Sequence, residues 1–505
     1  MQDGSMSYLK EITSGRLRAQ AVRKALPPIT AQQAALVHGP VEGIIKVNAF
    51  AGAGKTTSLC ALASRHADKR CLYLAFSKAA QMDASKRFAS SARCLTIHGL
   101  AFASFGKKYV HKLGQPRSID IIRRMGIPWN WQLADAVVQT IGAWCVSDWE
   151  EFPKSACAVN GTLTGTPSML AQAAGIAKQA WQRMCDPAGD MPMSHDGYLK
   201  LFQLSQPRID ADLIMLDEGQ DTNPVTWAIV RCQACPLVIV GDRYQSIFQF
   251  RGAINAMQIA KADREYPFTQ SFRFGPRVAR IATDLLRMFY REQAAIEGLG
   301  PDTLITATPQ GSPRAILART NATVFQHAVK AIRCGQSLGF AGGVNAYGFE
   351  KLLDVNHLAQ ERHDRIRDDL IRTFPSFSHF MEYSKQSGDL EAKRQIEAVL
   401  AYGDELETLI PSIHQSAQTD LSKAFIVLAT AHRAKGLTLD HVELADDFPE
   451  LLDAAGAPLQ ADQLDRQEVN LLYVALTRPR LTLSLNRTTL EFVRECGASE
   501  LLGDD

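Results

Sequence analysis

The segment Phe50-Ala51-Gly52-Ala53-Gly54-Lys55-Thr56-Thr57 follows the aliphatic run Ile44-Ile45-Lys46-Val47 and precedes a helical stretch. Gly52 and Gly54 allow backbone amides to turn toward a bound anion, and the N-terminus of the following helix adds a favourable dipole. In a loop of this kind Lys55 reaches the terminal phosphates of a nucleotide and the Thr56 hydroxyl holds Mg²⁺. Ala49 stands where the first glycine of the pattern usually falls.

A second constellation is Asp217-Glu218-Gly219-Gln220-Asp221, delivered by the apolar strand Leu213-Ile214-Met215-Leu216. One carboxylate at such a strand end can hold the metal, and its neighbour can orient or deprotonate an attacking water. Phosphate transfer to water needs both a cradle and a strand-end carboxylate, so the two constellations support each other. Lys55 and Asp217 lie far apart in the chain, so an inserted lobe must separate them.

The elements that must position these groups follow from short aliphatic runs, each trailed by a helix-like segment. Residues 44–47, 72–75, 213–216 and 237–240 form one set, and 315–317, 425–428, 442–444 and 481–483 a second. This alternation predicts two parallel α/β cores. Residues 106–200 and 330–420 have helical periodicity with scattered charges, and each is expected to be an inserted, mainly helical lobe. The cores then occupy 29–105 with 201–268 and 269–329 with 421–505, while 1–28 reads as a basic amphipathic helix ended by Pro27-Pro28. The glycine-rich stretch from Gly339 to Gly348 is expected to be a hinge or loop.

Composition bounds the answer without deciding it. The 505 residues are enough for about three folding units. A hydrophobic share of 46% with 21% charged residues places the chain among globular proteins. Lysine and arginine number 55 against 53 acids, so any basic surface must be local. No apolar run approaches the roughly 18 to 20 residues of a membrane span, so an intracellular protein without a membrane partner is expected. Ten dispersed cysteines make no disulfide framework. The pair Cys232 and Cys235 has no second pair or spaced histidines to complete a zinc site, and buried thiols beside a strand are expected instead.

Several further segments, taken in order, resemble the superfamily 1 helicases of the UvrD/Rep type. Gln33 in Ile29-Thr30-Ala31-Gln32-Gln33 resembles the family's adenine-reading glutamine. Ala75 to Ala80, with Phe76 and Lys78, and Thr96 to Ala101, with His98, resemble its first two DNA-contacting motifs. The run Gly241 to Ala253 resembles the motif that links phosphate sensing at Gln245 to base stacking at Phe248 and Phe250, with Arg251 beside them. In the second core, Ser271-Phe272-Arg273 resembles the segment whose aromatic ring stacks on adenine and whose arginine reaches the γ-phosphate. Thr430 to Leu437, with His432 and Lys435, resembles the DNA-backbone motif, and Asn470 to Arg478 the final motif, whose arginine is a finger. The run Lys435-Gly436-Leu437 through Pro449, with Asp221-Thr222-Asn223-Pro224, is most similar to the F-box DNA helicase branch, although no F-box-sized domain is expected ahead of the motor.

The resemblance implies two RecA-like parallel-sheet cores with ATP and Mg²⁺ held between them. It implies Lys55, Asp217, Glu218, Gln245, Arg273 and Arg478 as catalytic residues and Thr56 and Asp217 as metal ligands. Gln33, Gly52, Ala53, Gly54, Lys55, Thr56, Thr57 and Phe272 are the implied nucleotide contacts. Phe76, Lys78, His98, Phe248, Phe250, Arg251, His432 and Lys435 are the implied DNA contacts. The expected function is an ATP-dependent single-stranded DNA translocase and helicase of 3′-to-5′ polarity; an ATP-gated DNA sensor that recruits or licenses a partner enzyme is the alternative. Expected partners are single strands, single/double-strand junctions and a protein such as a nuclease or repair factor. The expected location is the cytoplasm, at the nucleoid, in a bacterial or viral setting and the nucleus in a eukaryotic one. No nuclease domain of its own is expected after Arg478. Thr57 stands where many relatives have an arginine, and Thr438 where they have a glutamate, which implies thinner nucleotide contacts. Gly219 and Pro479 replace common alanines, a mild change at the first and one expected to alter helix geometry at the second.

Overall fold

The computed structural model describes residues 29–502 except 128–129, 310–312 and 388. The basic helix expected over 1–28 lies outside the described residues.

The first core is built on β1 (Ile44–Ala49), β2 (Cys71–Ala75), β3 (Arg93–Thr96), β4 (Leu213–Leu216), β5 (Leu237–Gly241) and β6 (Arg264–Phe268). Its order is β3-β2-β4-β5-β1-β6, and each neighbouring pair is parallel. β2, β4 and β5 are buried along their whole length, as expected of strands covered by helices on both faces. Parallel pairing places every carboxyl end on one edge, where binding groups can converge.

A two-stranded parallel bridge, β7 (Gln270–Ser271) with β8 (Glu297–Gly298), leads into the second core. That core contains β9 (Leu304–Thr306), β10 (Arg314–Ala318), β11 (Leu338–Phe340), β12 (Ala417–Gln418), β13 (Ile426–Thr430), β14 (Leu439–Leu444) and β15 (Pro479–Ser484). The order is β12-β11-β13-β10-β14-β15-β9, again parallel throughout.

Three local expectations change. β13 begins at Ile426 rather than Phe425, whose ring is half exposed. The glycine-rich stretch opens as a strand, because β11 takes in Gly339; a Cβ there would lie 2.8 Å from Leu421 Cδ2, so glycine lets that side chain approach the strand closely. Pro479 does not distort a helix. The helix Arg466–Leu476 has already ended, and Pro479 opens β15.

Residues 106–200 carry the helices Ser118–Met125, Trp131–Val146 and Pro167–Cys185 and most of His195–Leu204. They pack directly on the first core, where Trp144, Trp181 and Tyr198 share one apolar cluster with Leu72 and Ile214 of the first sheet. The stretch 330–420 contributes β11 and β12 to the second sheet as well as the helices Glu350–Ala359, Phe377–Ser387, Leu390–Tyr402 and Leu406–Ser416. Its apolar faces pack with Ile316 and Leu428 of that sheet. Among the described residues, no helix is long and apolar enough to cross a membrane.

Candidate active site and nucleic-acid interface

β1 ends at Ala49, and the chain turns through Gly52 (φ +76°) and Gly54 (φ +74°) into the helix Lys55–Arg65. Both glycines need the left-handed region, which a side chain would strain. A Cβ on Gly52 would also collide with Ser271, and one on Gly54 would lie 2.6 Å from Gln33 Nε2. The same position is 3.7 Å from the ring of Phe272, so Gln33 and the exposed Phe272 frame one mouth of the loop. Gln33 is held at both ends of its amide: Nε2 donates to the Ala53 carbonyl at 3.1 Å, and Oε1 accepts from Thr30 N at 3.0 Å. Thr57 sits half-buried on the first turn of the helix.

β4 delivers Asp217 beside the loop, with Thr56 Oγ1 donating to its Oδ2 at 3.5 Å. Tyr73, pointing up from β2, donates its hydroxyl to the same carboxylate. Glu218 takes a left-handed backbone (φ 53°), and its carboxylate lies 3.3 Å from Lys55 Nζ. Strain of this kind at a non-glycine residue persists only where the surroundings fix it. Burial works against the Lys55 charge, but Glu218, Asp217 and Asp242 outweigh it and raise the pKa above its ordinary value. Burial and the neighbouring Glu218 push Asp217 up. Glu218 is held low, because Lys55 and Lys435 overcome the cost of burying it. A carboxyl held ionised, as Glu218 is, can accept a proton, and a cation bound beside Asp217 would offset the cost of burying its charge.

The second core closes the other side. Arg478 is 1% exposed and donates only to neutral acceptors: Val474 O at 2.7 Å, Thr477 Oγ1 at 3.1 Å, and Leu437 O and Gln245 Oε1 at 3.3 Å. Arg273 Nη1 donates to Thr477 O at 3.0 Å. Among the described residues neither arginine forms an ion pair. Burial and then the like charge of Arg273 hold the Arg478 pKa well below its ordinary value, and burial depresses Arg273 too. A polyanion placed between them would relieve that cost. Tyr473 spans the cleft, accepting from Ala51 N at 3.3 Å and donating to Asp242 Oδ2 at 3.0 Å, while Gln245 Nε2 donates to the same oxygen at 2.8 Å.

The other set of expected contacts follows β2, β3 and β5 of the first sheet and β13 of the second. Phe76 stacks on Phe248, with centroids 5.6 Å apart and planes 15° from parallel. Phe248 leads to Phe250 at 6.1 Å, and His432 of the second core meets Phe250 edge-on at 5.7 Å. Phe250 is 61% exposed although it is aromatic, so this ladder presents free π-faces to solvent. Lys78 and Arg251 stand exposed near it, Lys78 donating to Gln81 Oε1 at 2.8 Å. His98 is paired at 3.0 Å with Asp196 from the helix His195–Leu204. Lys435 is turned inward onto Asp221, away from the ladder's open side.

Residues 200–267 match the UvrD/REP helicase N-terminal domain, and residues 312–488 match the UvrD-like helicase C-terminal domain. The chain carries both UvrD-like helicase domains. It is 31% identical over 519 residues to F-box DNA helicase 1 of Gallus gallus, a match covering 94% of this chain and 51% of that protein. Against F-box DNA helicase protein 1 of Schizosaccharomyces pombe it is 29% identical over 521 residues, covering 91% of this chain and 57% of the relative. The chain thus spans about half the length of the curated relatives it matches.

Within this UvrD-like pair, sequence reasoning gave no role of their own to four groups that the fold brings to the cleft: Tyr73, Asp221, Asp242 and Tyr473, although the last three stood inside runs that it singled out. A tyrosine inside an otherwise aliphatic strand was the available signal at Tyr73, since a buried hydroxyl needs a partner. Gly219 is not a mild replacement of alanine here, because a Cβ would sit 2.5 Å from Ile239 Cγ2 and 2.8 Å from Met257 Sδ. The thiols also differ from expectation: Cys232 is exposed and Cys235 half-buried. Among the described residues no cluster of three metal-ligating side chains occurs.

Proposed function

We propose that the chain is a DNA-dependent ATPase that moves along single-stranded DNA with 3′-to-5′ polarity and separates strands. The observation that carries this reading is a phosphate cradle facing two arginines that form no ion pair among the described residues, joined through the Gln245 to Phe250 segment to an exposed aromatic ladder. Gly52, Gly54, Lys55 and Thr56 hold the phosphates, Gln33 and Phe272 the base, and Thr56 with Asp217 the Mg²⁺. The metal, when bound, neutralises charge on the phosphoryl oxygens. Glu218 takes the proton of the attacking water, and for this its contact with Lys55 must give way as Lys55 turns to phosphate. Arg273 and Arg478 bring positive charge from the second core, and Gln245 ties their side of the cleft to the first core.

Phe76, Phe248, Phe250 and His432 stack with bases, and Lys78 and Arg251 approach the backbone. Because these groups come from both cores, a change in cleft opening alters their spacing, the geometric requirement for stepping. Single strands and single/double-strand junctions are the substrates on this reading, and the interior of a cell, without a membrane partner, is its place.

The experiment is displacement of a strand from duplexes carrying either a 3′ or a 5′ tail, run beside ATP turnover with and without oligo(dT). Displacement from the 3′-tailed substrate and turnover that rises with oligo(dT) are expected. Stimulated turnover with no displacement from either substrate would leave an ATP-gated DNA sensor in its place. A folded Lys55→Ala protein with unchanged turnover would sink the nucleotide assignment.

A further inference from the structure

Lys435, at the end of the short helix Ala431–Ala434 that follows β13, enters the first core and places its ammonium between the Asp221 carboxylate and the Gln245 carbonyl. The pair is sealed: the Lys435 side chain is 8% exposed and that of Asp221 not at all. It spans the two cores at the point where both functions meet. On one side, Lys435 Nζ lies 5.2 Å from the ring centre of Phe248, the middle member of the aromatic ladder. On the other, Asp221 lies 3.5 Å from Gln220 Nε2, which donates to Glu218, while Gln220 Oε1 accepts from Asp242 N at 3.0 Å. A second tie fixes the same segment, since Gln467 and Asn470 donate to the Ser246 carbonyl at 2.9 and 2.8 Å.

Asp221 also has a free side. Among the described residues its Oδ1 is buried without a partner, beside a cavity of about 70 Å³. Phe76 and His98 line that cavity from the DNA face, and Asp217 and Glu218 from the nucleotide face. One charged contact therefore lies directly against a ring of the ladder and, through the single side chain of Gln220, next to the group placed to take the proton from water.

We propose that the Lys435–Asp221 pair is the strut that couples occupancy of the aromatic ladder to the setting of Glu218, which makes both of them positioning residues and Lys435 no phosphate ligand. This rests on the ATP-driven DNA activity proposed above. A base stacked on Phe250 moves Phe248, Phe248 moves the ammonium, and the Asp221–Gln220 contact carries the displacement to Glu218. Removing one partner leaves a buried charge alone, whereas removing both leaves none.

The test compares the full chain with Asp221→Asn, Lys435→Met and the double variant, each checked for cooperative thermal unfolding. ATP turnover is measured with and without oligo(dT), and oligo(dT) affinity is measured across a range of salt. Each variant is expected to lower the ratio of stimulated to unstimulated turnover by about tenfold, with the double variant no worse than the more affected single. The salt dependence of oligo(dT) binding is expected to be the same in Lys435→Met as in the wild type. A slope shallower by about one would make Lys435 a phosphate ligand and overturn the proposal. Stimulation retained in the folded double variant, or losses that simply add, would overturn it as well. If a single variant fails to fold, the double variant carries the test. A wild-type chain whose turnover ignores oligo(dT) would instead remove the functional reading beneath the proposal, an outcome distinct from unaffected variants of a stimulated enzyme.

Discussion

Arg478 Nη2 donates to Gln245 Oε1 at 3.3 Å across the cleft between the cores. Every acceptor around this guanidinium is neutral, so its charge is held but not cancelled. A purely structural arginine in this position would gain from a carboxylate, and none is bonded to it among the described residues. Arg478→Ala is therefore expected to lower ATP turnover by about 10³-fold or more, as for loss of an arginine finger. Nucleotide affinity, measured by equilibrium titration, should change far less, because Lys55, Thr56 and the loop amides remain. A loss of only a few-fold in turnover would return Arg478 to a structural role.

Phe250 is the most exposed ring of the ladder, and it is held on one side by Phe248 and on the other by His432. Phe250→Ala should lose about 1 to 3 kcal/mol of single-strand affinity, with little dependence on base sequence. Fluorescence anisotropy with oligo(dT) and mixed-sequence oligonucleotides checks both statements. Unchanged affinity would put the strand's path elsewhere on the molecule.

The loop from Phe50 to Thr57 and the acids at 217–218 were legible because each is a contiguous run at the end of one strand, and strand ends can be read locally. The contacts between strands and between cores were not. Tyr73 meets Asp217 only because β2 lies beside β4 in the order β3-β2-β4-β5-β1-β6, and Tyr473 meets Asp242 only because the second core approaches the first. No local periodicity encodes that order. β6 escaped for another reason: an edge strand with charged Arg264 and Glu265 and with Pro267 near its end has no apolar run to announce it. β3, only four residues long and mostly not buried, lies at the opposite edge.

The packing above Gly219 gives a stability test that is independent of DNA. A Cβ at this position would press on Ile239 in β5 and on Met257 in the helix Ala256–Ile259, so room must come from a sheet residue or from the thioether. Gly219→Ala is expected to destabilise the chain by about 1 to 3 kcal/mol, as overpacking does in well-filled interiors. Denaturant unfolding monitored by tryptophan fluorescence measures this directly. Paired with Met257→Ala, which vacates the space, the loss should be smaller than the sum of the two single effects.

His432 offers a pH-dependent test of how the ladder grips a strand. Burial, followed by the positive charges of Arg319, Lys435 and Arg433, pushes its pKa down to about 4. The ring is then neutral throughout the physiological range and can stack on a base without forming an ion pair. The sign of the linked stability follows from the direction of the shift. In the unfolded chain the imidazole takes a proton near its ordinary value of about 6.5, whereas in the folded chain it resists until pH falls to about 4. Its contribution is fully present above pH 6.5, shrinks as pH falls between those two values, and stops changing below them. The difference in stability between wild type and His432→Asn should thus slope upward with pH in that window and be flat at neutral pH. The His432 ring signal, assigned by its loss in the variant, should titrate near pH 4 by NMR, and bound oligo(dT) should shift it upward as phosphates draw near. A midpoint near 6.5 in the free protein would mean that the ring is solvated and charged at mildly acidic pH, and the ladder would then end at Phe250.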